Sequence, residues 1–403
     1  MTSIDVSSAP ARQGTGTYPT PVRPDDDRFV GLAAEIGAVA AEHAADHDRD
    51  ATFVAEAYAA MRDNGYFALP VPEELGGAGA SLRQICYAQA ELARHDGATA
   101  LAVTMHLYAT AMQAFRYRSG APDAEAVLRR VAAENLVIAT SGGSDWIWPT
   151  TTAVVDGDTL RVSGRKAFCS QAPGATVIAT SAVIGEPGEG AEVVHFSLPL
   201  AAEGVRMVET WDTLGMRGTA SHDLVLEDVV VPVERISGRR PYGQLGPPLM
   251  LAGTFFAPVG GACYLGIAFG ARDAAVDAAL SGGRGPTPLA ELPRVQRQVG
   301  LMDAKLRGAW WEIMGSLDEM GDQPTPGPAL LTTVMLAKRR AVLDAIAVVD
   351  LAMDVIGGRS LFRSSPLERA YRDVRAGTFH PLPPETTLAY AGKVALGDPG
   401  TTE

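Results

Sequence analysis

The runs ATVIATSAV (175–183), EVVHFSLPL (192–200) and LVLEDVVVP (224–232) decide the fold class. Each is short, β-branched and closed by a turn. LVIATS (136–141), TTAVV (151–155) and TLRVSGRKAFCS (159–170) read the same way, so the span from about Leu136 to Ile236 predicts an antiparallel barrel or sandwich. On both sides the hydrophobic period lengthens to that of helices. Upstream stand RFVGLAAEIGAVAAEHAADH (28–47) and TFVAEAYAAMRDNG (52–65), the latter ending at Gly65, which can take a left-handed C-terminal conformation. After a Pro- and Gly-rich stretch come LRQICYAQAELARH (82–95), with Ser81 as N-cap, and TALAVTMHLYATAMQAF (99–115), started by Thr99. Downstream of Pro247, long helical patterns cover 250–280, 292–320 and 329–358, and a shorter one begins near Pro384, which together predict a four-helix bundle. The expected organisation is α+β: a flexible tail (1–24), an N-terminal helical domain (25–135), a middle β domain (136–238) and a C-terminal helical bundle (239–403).

Composition excludes several classes of function. The chain has 403 residues, 47% of them hydrophobic, which is ample for a core. Its 34 basic and 47 acidic residues give a net charge of −13, against a nucleic-acid partner, which needs clustered Lys and Arg to displace counterions. Cys86, Cys169 and Cys263 are scattered and odd in number, so neither a disulfide framework nor a metal site is expected. No apolar run of transmembrane length and no signal peptide stand out, and the chain reads as cytoplasmic, without a membrane partner.

Four segments carry a resemblance. GYFALPVPEELGGAG (65–79), WDTLGMRGTASHDLVLEDVVVP (211–232), VQRQVGLMDAKL (295–306) and LERAYRDVRAGTFH (367–380) resemble, in sequence and in succession, the acyl-CoA dehydrogenase superfamily, and the likeness runs from Asp25 to Leu396. It implies the acyl-CoA dehydrogenase-like fold, a flavin cofactor and a homo-oligomer, a tetramer. It leaves the reaction open, because the fold serves dehydrogenases, oxidases and two-component monooxygenases.

The resemblance also implies site residues. TSGGSDW (140–146), whose glycines give backbone N–H groups room to approach a ligand, corresponds to a loop lying against the isoalloxazine, with Thr140, Ser141 and Ser144 as contacts. KAFCSQ (166–171) places Phe168 and Ser170 beside the flavin, Ser170 as a donor to N5 or O4. A neighbouring subunit's Arg284, Gln296, Gly357 and Gly358 would hold an adenine end. Two departures weaken that end: RGPTPL (284–289) lacks the usual Phe, and GGRS (357–360) lacks the third glycine. The cofactor is therefore FAD or FMN, or a flavin delivered reduced by a partner reductase.

The superfamily's catalytic glutamate is missing. One of its two known positions is Pro381 and the other falls near Ala257, in GTFFAPVGG (253–261), which contains no acid. Glu385 could serve as a relocated base, although PLPPETT (381–387) also reads as a Pro-stiffened lead-in to the last helix with Glu in its first turn. His380 and His106, with Ser170, resemble the groups around the flavin in two-component monooxygenases of the dibenzothiophene type, where neutral donors stabilise a flavin C4a-hydroperoxide. A lone His such as His106 on an apolar helix also reads as a core residue. Trp146 and Trp148 are read as walls of a small-molecule substrate pocket. Ser221, His222 and Asp223 name a triad, but adjacent side chains cannot converge as one. Arg239 and Arg240 could meet a CoA phosphate, but read more simply as solvated loop residues. The leading expectation is hydroxylation of N, S or C of a small organic substrate by reduced flavin and O2. The alternatives are an acyl-CoA or carrier-bound acyl dehydrogenase with a relocated base, and a catalytically silent flavin-binding assembly partner.

Overall fold

The computed structural model describes Pro19, residues 26–281 and residues 288–398, so the expected tail at 1–24 lies, apart from Pro19, outside the described residues. Five helices come first: α1 (Asp27–Asp50), α2 (Ala55–Asp63), α3 (Leu82–His95), α4 (Gly97–Arg118) and α5 (Ala124–Glu134). Ser81 and Gln84 form a reciprocal capping box at the start of α3. Gly65 is left-handed, with φ 71°. The start of α4 differs from expectation. Asp96, not Thr99, is the N-cap, its carboxylate accepting from the backbone N–H of Thr99 at 2.9 Å and from the Thr99 hydroxyl at 2.7 Å.

Eight strands follow: β1 (Ile138–Thr140), β2 (Thr152–Asp156), β3 (Thr159–Lys166), β4 (Val177–Ile184), β5 (Glu192–Pro199), β6 (Val205–Val208), β7 (Asp223–Pro232) and β8 (Gly238–Pro241). They form one mixed sheet in the order β6-β7-β3-β2-β4-β5-β8, with β1 on β4. The β2–β3, β3–β7, β4–β5, β5–β8 and β6–β7 pairings are antiparallel, whereas β1–β4 and β2–β4 are parallel. In β7 a bulge at Asp228 (φ 55°) shifts the register against β3 between Val162 and Gly164. The shift changes parity, so Leu224 and Leu226 before it and Val229 and Val231 after it all face one core.

The C-terminal region holds α6 (Pro247–Leu280), α7 (Pro293–Met320), α8 (Pro328–Ile356), α9 (Pro366–Val374) and α10 (Pro384–Ala395). The chain folds around α6, which packs on α3 and α4 on one side and on α7 and α8 on the other. A Cβ at Gly266 would lie 2.3 Å from the Ala90 carbonyl oxygen, so glycine is what lets α3 and α6 touch. The bundle is thus not self-contained: the first and last helices share one core. This packing corrects the expectation about apolar length, since α6 is long and apolar enough by composition to cross a membrane, yet 78% of its most apolar window is buried inside the fold.

Candidate active site

All three regions meet at a cavity of about 330 Å3. Leu101, Met105 and Tyr108 reach it from one face of α4, and Ala252 and Phe256 from one face of α6. The loop after β1 supplies Thr140, Ser141, Gly142 and Gly143, and the chain after β3 supplies Phe168 and Ser170. His380 and Pro381 close it from the segment between α9 and α10. Among the described residues lining it there is no Asp or Glu; its charged groups are Arg372 and Arg375. A second cavity of about 440 Å3 adjoins it, sharing Tyr108, Thr140, Ser141, Trp146 and Ala252.

The loop after β1 is held from behind. Lys166, fully buried on β3, donates to both carboxylate oxygens of Asp145 at 3.1 Å and to the Ser181 carbonyl. Asp145 also accepts from the Ser141 hydroxyl at 2.7 Å. Burial pushes the Lys166 ammonium below the usual lysine range, while Asp145 opposes the shift. Arg240, expected in a solvated loop, instead lies on β8 at 3% exposure and donates to the Trp146 carbonyl at 2.9 Å and the Ile147 carbonyl at 3.1 Å. A Cβ at Gly143, where φ is +65°, would meet the Phe168 ring at 2.9 Å. Arg240 was named in sequence but with the wrong surroundings, and Lys166 was given no role. The readable signal was Lys166 at an inward position of an alternating strand, two residues beyond Gly164 and in step with Leu160 and Val162.

These surroundings fit a flavin. Phe168 is 51% exposed on a left-handed backbone (φ 54°), standing edge-on to Trp211 at 5.9 Å, a conformation that a bulky residue adopts only under constraint. Ser221 donates to the Ser170 hydroxyl oxygen at 2.8 Å, so the Ser170 hydrogen is left for a ligand. Thr140 and Ser141 stand at the rim shared by the two cavities. The side chain of Ser144 and the whole of Arg284 lie outside the described residues. Gln296, Gly357 and Gly358 are exposed and away from the cavity. Trp146 lines both cavities, but Trp148 lines neither; it packs against Tyr242, with ring centroids 5.4 Å apart, and against Gly243.

The two histidines separate. His380, half-buried, lines the cavity and meets the Tyr264 hydroxyl at 3.2 Å through Nδ1. Burial, then the Lys338 charge, pushes its pKa down to about 3, which makes it a neutral imidazole at any working pH. With the hydroxyl assigned as donor, the ring hydrogen sits on Nε2. His106 corrects the expected catalytic role. It is fully buried, outside the cavity, and both ring nitrogens are occupied by backbone: Nε2 donates to the Phe67 carbonyl at 2.8 Å and Nδ1 accepts from the Ile138 N–H at 3.1 Å. It ties α4 to the start of β1.

Burial lowers the His106 pKa to about 4. Below its unfolded-state pKa of about 6.5 the unfolded chain takes up a proton that the folded chain refuses, so this stability is complete above 6.5 and is lost as pH falls towards 4. Urea denaturation at pH 7 and 4.5 is expected to show a loss of about 2–3 kcal/mol from this group. The loss should disappear in His106→Gln.

Residues 32–132, 139–229 and 259–382 match the N-terminal, middle and C-terminal domains of acyl-CoA dehydrogenases. The chain is 33% identical over 371 residues to the putative acyl-CoA dehydrogenase YdbM of Bacillus subtilis, covering 86% of this chain and 92% of that protein. It is 30% identical to the amino sugar nitrososynthase DnmZ of Streptomyces peucetius, covering 98% of this chain and all of that one. KijD3, solved in complex with FMN and dTDP-3-amino-2,3,6-trideoxy-4-keto-3-methyl-D-glucose, superposes with a TM-score of 0.80 at 26% identity, over 94% of this chain and 95% of that one. The three matched domains, in the order in which they build the cavity, make this chain a member of the acyl-CoA dehydrogenase family, a flavin-dependent oxidoreductase whose cofactor is FAD or FMN.

Proposed function

We propose that the protein is a monooxygenase that uses reduced flavin and O2 to hydroxylate N, S or C of a small organic substrate. The observation that carries this reading is the cavity wall: a proline and a neutral histidine stand where a dehydrogenase needs a carboxylate. Removing a proton beside a thioester carbonyl without a positioned base loses roughly 10²-fold or more. Bound there, the flavin would supply oxygen activation and oxidation of the substrate. Thr140, Ser141, Phe168 and Ser170 would hold it. His380 and Ser170 would offer uncharged hydrogen-bond donors, which stabilise developing charge on oxygen without handing over a proton. The apolar faces of α4 and α6 exclude water. Relatives that act on amino sugars make an amine nitrogen the first oxidation site to try. A tetramer and a separate reductase complete the proposal; exposed Gln296, Gly357 and Gly358 are open to a second copy of the chain.

The dehydrogenase reading needs Glu385, which sits on the first turn of α10, 88% exposed, 3.8 Å from Arg339 and outside both cavities. Glu385→Gln is therefore expected to leave flavin reactivity within about 2-fold of wild type, where loss of a working base would give 10²-fold or more.

The deciding experiment mixes anaerobic protein and reduced flavin with oxygenated buffer in a stopped-flow spectrometer. A near-ultraviolet-absorbing species that outlives simple reoxidation supports the oxygenase. Immediate return to oxidised flavin, with turnover of an acyl-CoA panel, overturns it.

A further inference from the structure

The turn that carries His380 is built around a buried cation the chemistry above does not use. Lys338 projects from α8 at 2% exposure, and its Nζ donates to three consecutive carbonyls: His380 at 2.9 Å, Pro381 at 2.9 Å and Leu382 at 3.0 Å. Three peptide dipoles aimed at one point repel one another unless a positive group fills that point. A lysine ammonium has three hydrogens and no acceptor, so the match is complete. Among the described residues no carboxylate lies within ion-pair distance of it, and burial lowers its pKa to about 7. Its ammonium also lies 5.8 Å from the centre of the Phe256 ring, which lines the cavity and stands edge-on to His380. At its C-terminal end the turn is pinned again, by Thr387 donating to the Leu382 carbonyl at 3.2 Å and by Arg339 to the Pro384 carbonyl at 3.0 Å.

We propose that Lys338 is a positioning residue of the reaction site: by gathering the carbonyls of residues 380–382 it sets where the His380 imidazole stands in the cavity, on the wall where Pro381 replaces a carboxylate. The role in catalysis rests on the oxygenase reading, but the positioning itself does not. An apolar side chain in the same place would take this donor from three converging carbonyls, so the buried charge is matched to this turn rather than to the core at large. Its three acceptors all belong to the turn that brings His380 and Pro381 to the cavity wall.

The test compares wild type, Lys338→Met and Lys338→Arg in the flavin-loaded protein. NMR of labelled histidine follows the His380 ring as pH is lowered. In Lys338→Met the His380 midpoint is expected to rise by about one pH unit or more, since a nearby like charge is gone, and the oxygen-derived near-ultraviolet species to decay about 10-fold faster. Lys338→Arg, which keeps charge and donors, should lie between it and wild type. A Lys338→Met protein with an unchanged melting temperature, an unchanged His380 midpoint and an unchanged decay overturns the proposal. If that variant does not fold, wild type decides: an ammonium held by three carbonyls gives a slowly exchanging 15Nζ signal at pH 6, and its absence overturns the proposal. The titration and ammonium readouts need no turnover, so they stand or fall separately from the oxygenase reading, which is judged on the wild-type stopped-flow trace.

Discussion

Asp145→Ala is expected to destabilise the protein by about 3–5 kcal/mol, because it leaves the Lys166 ammonium buried with no counter-charge. The size follows from burial: Lys166 is 0% exposed and both of its ionic contacts are to Asp145. Its remaining bond, to the Ser181 carbonyl, cannot neutralise it. The same substitution leaves Ser141 with Thr180 but without Asp145, and so loosens the loop expected to lie against the flavin. Urea titrations should show the stability loss, and fluorescence titration with free flavin should show weaker binding. Replacing both members, Lys166→Met with Asp145→Leu, should recover most of the stability, since an apolar pair needs no desolvation. An Asp145→Ala protein within about 1 kcal/mol of wild type would mean that the pair carries no net penalty when broken.

His380→Ala is expected to act on chemistry rather than on the fold. The ring is half-buried and, among the described residues, has one side-chain hydrogen-bond partner, Tyr264, so its removal should cost stability only about 1–2 kcal/mol. The lifetime of the oxygen-derived species, read by stopped-flow absorbance, should shorten by about 10²-fold with matching release of hydrogen peroxide, the usual size of effect for one preorganised donor. No substrate is needed for this measurement. Wild-type lifetime and wild-type peroxide yield in His380→Ala would remove His380 from the chemistry.

The parts of the fold that could be read from the sequence are those governed by local periodicity. Helix α3 and its capping box follow from Ser81 and Gln84 three residues apart, and α10 begins at Pro384, where expected. The strands were legible as short β-branched runs, but two parallel pairings, β1–β4 and β2–β4, depend on long-range docking that no local pattern records. Site residues divided by the same rule. Met105 and His106 are neighbours on α4, yet only Met105 reaches the cavity; which side of an apolar helix faces a ligand is set by its partners, here Phe67 and Ile138. Lys166 and Asp145 come together across a strand and a turn, and Lys338 reaches a turn formed 42 to 44 residues later, so the partner of neither cation is recorded in the sequence around it. Trp148 shares its chemistry with Trp146 but points to Tyr242.

The shared core around α6 bears on how the chain is made. Helices α3 and α4 leave the ribosome with the faces that α6 will cover still bare, and they must wait until the whole β region has been synthesised. The sheet can close on its own core in the meantime. The nascent N-terminal helices cannot, and their protection during that interval falls to chaperones or to transient contacts within the growing chain.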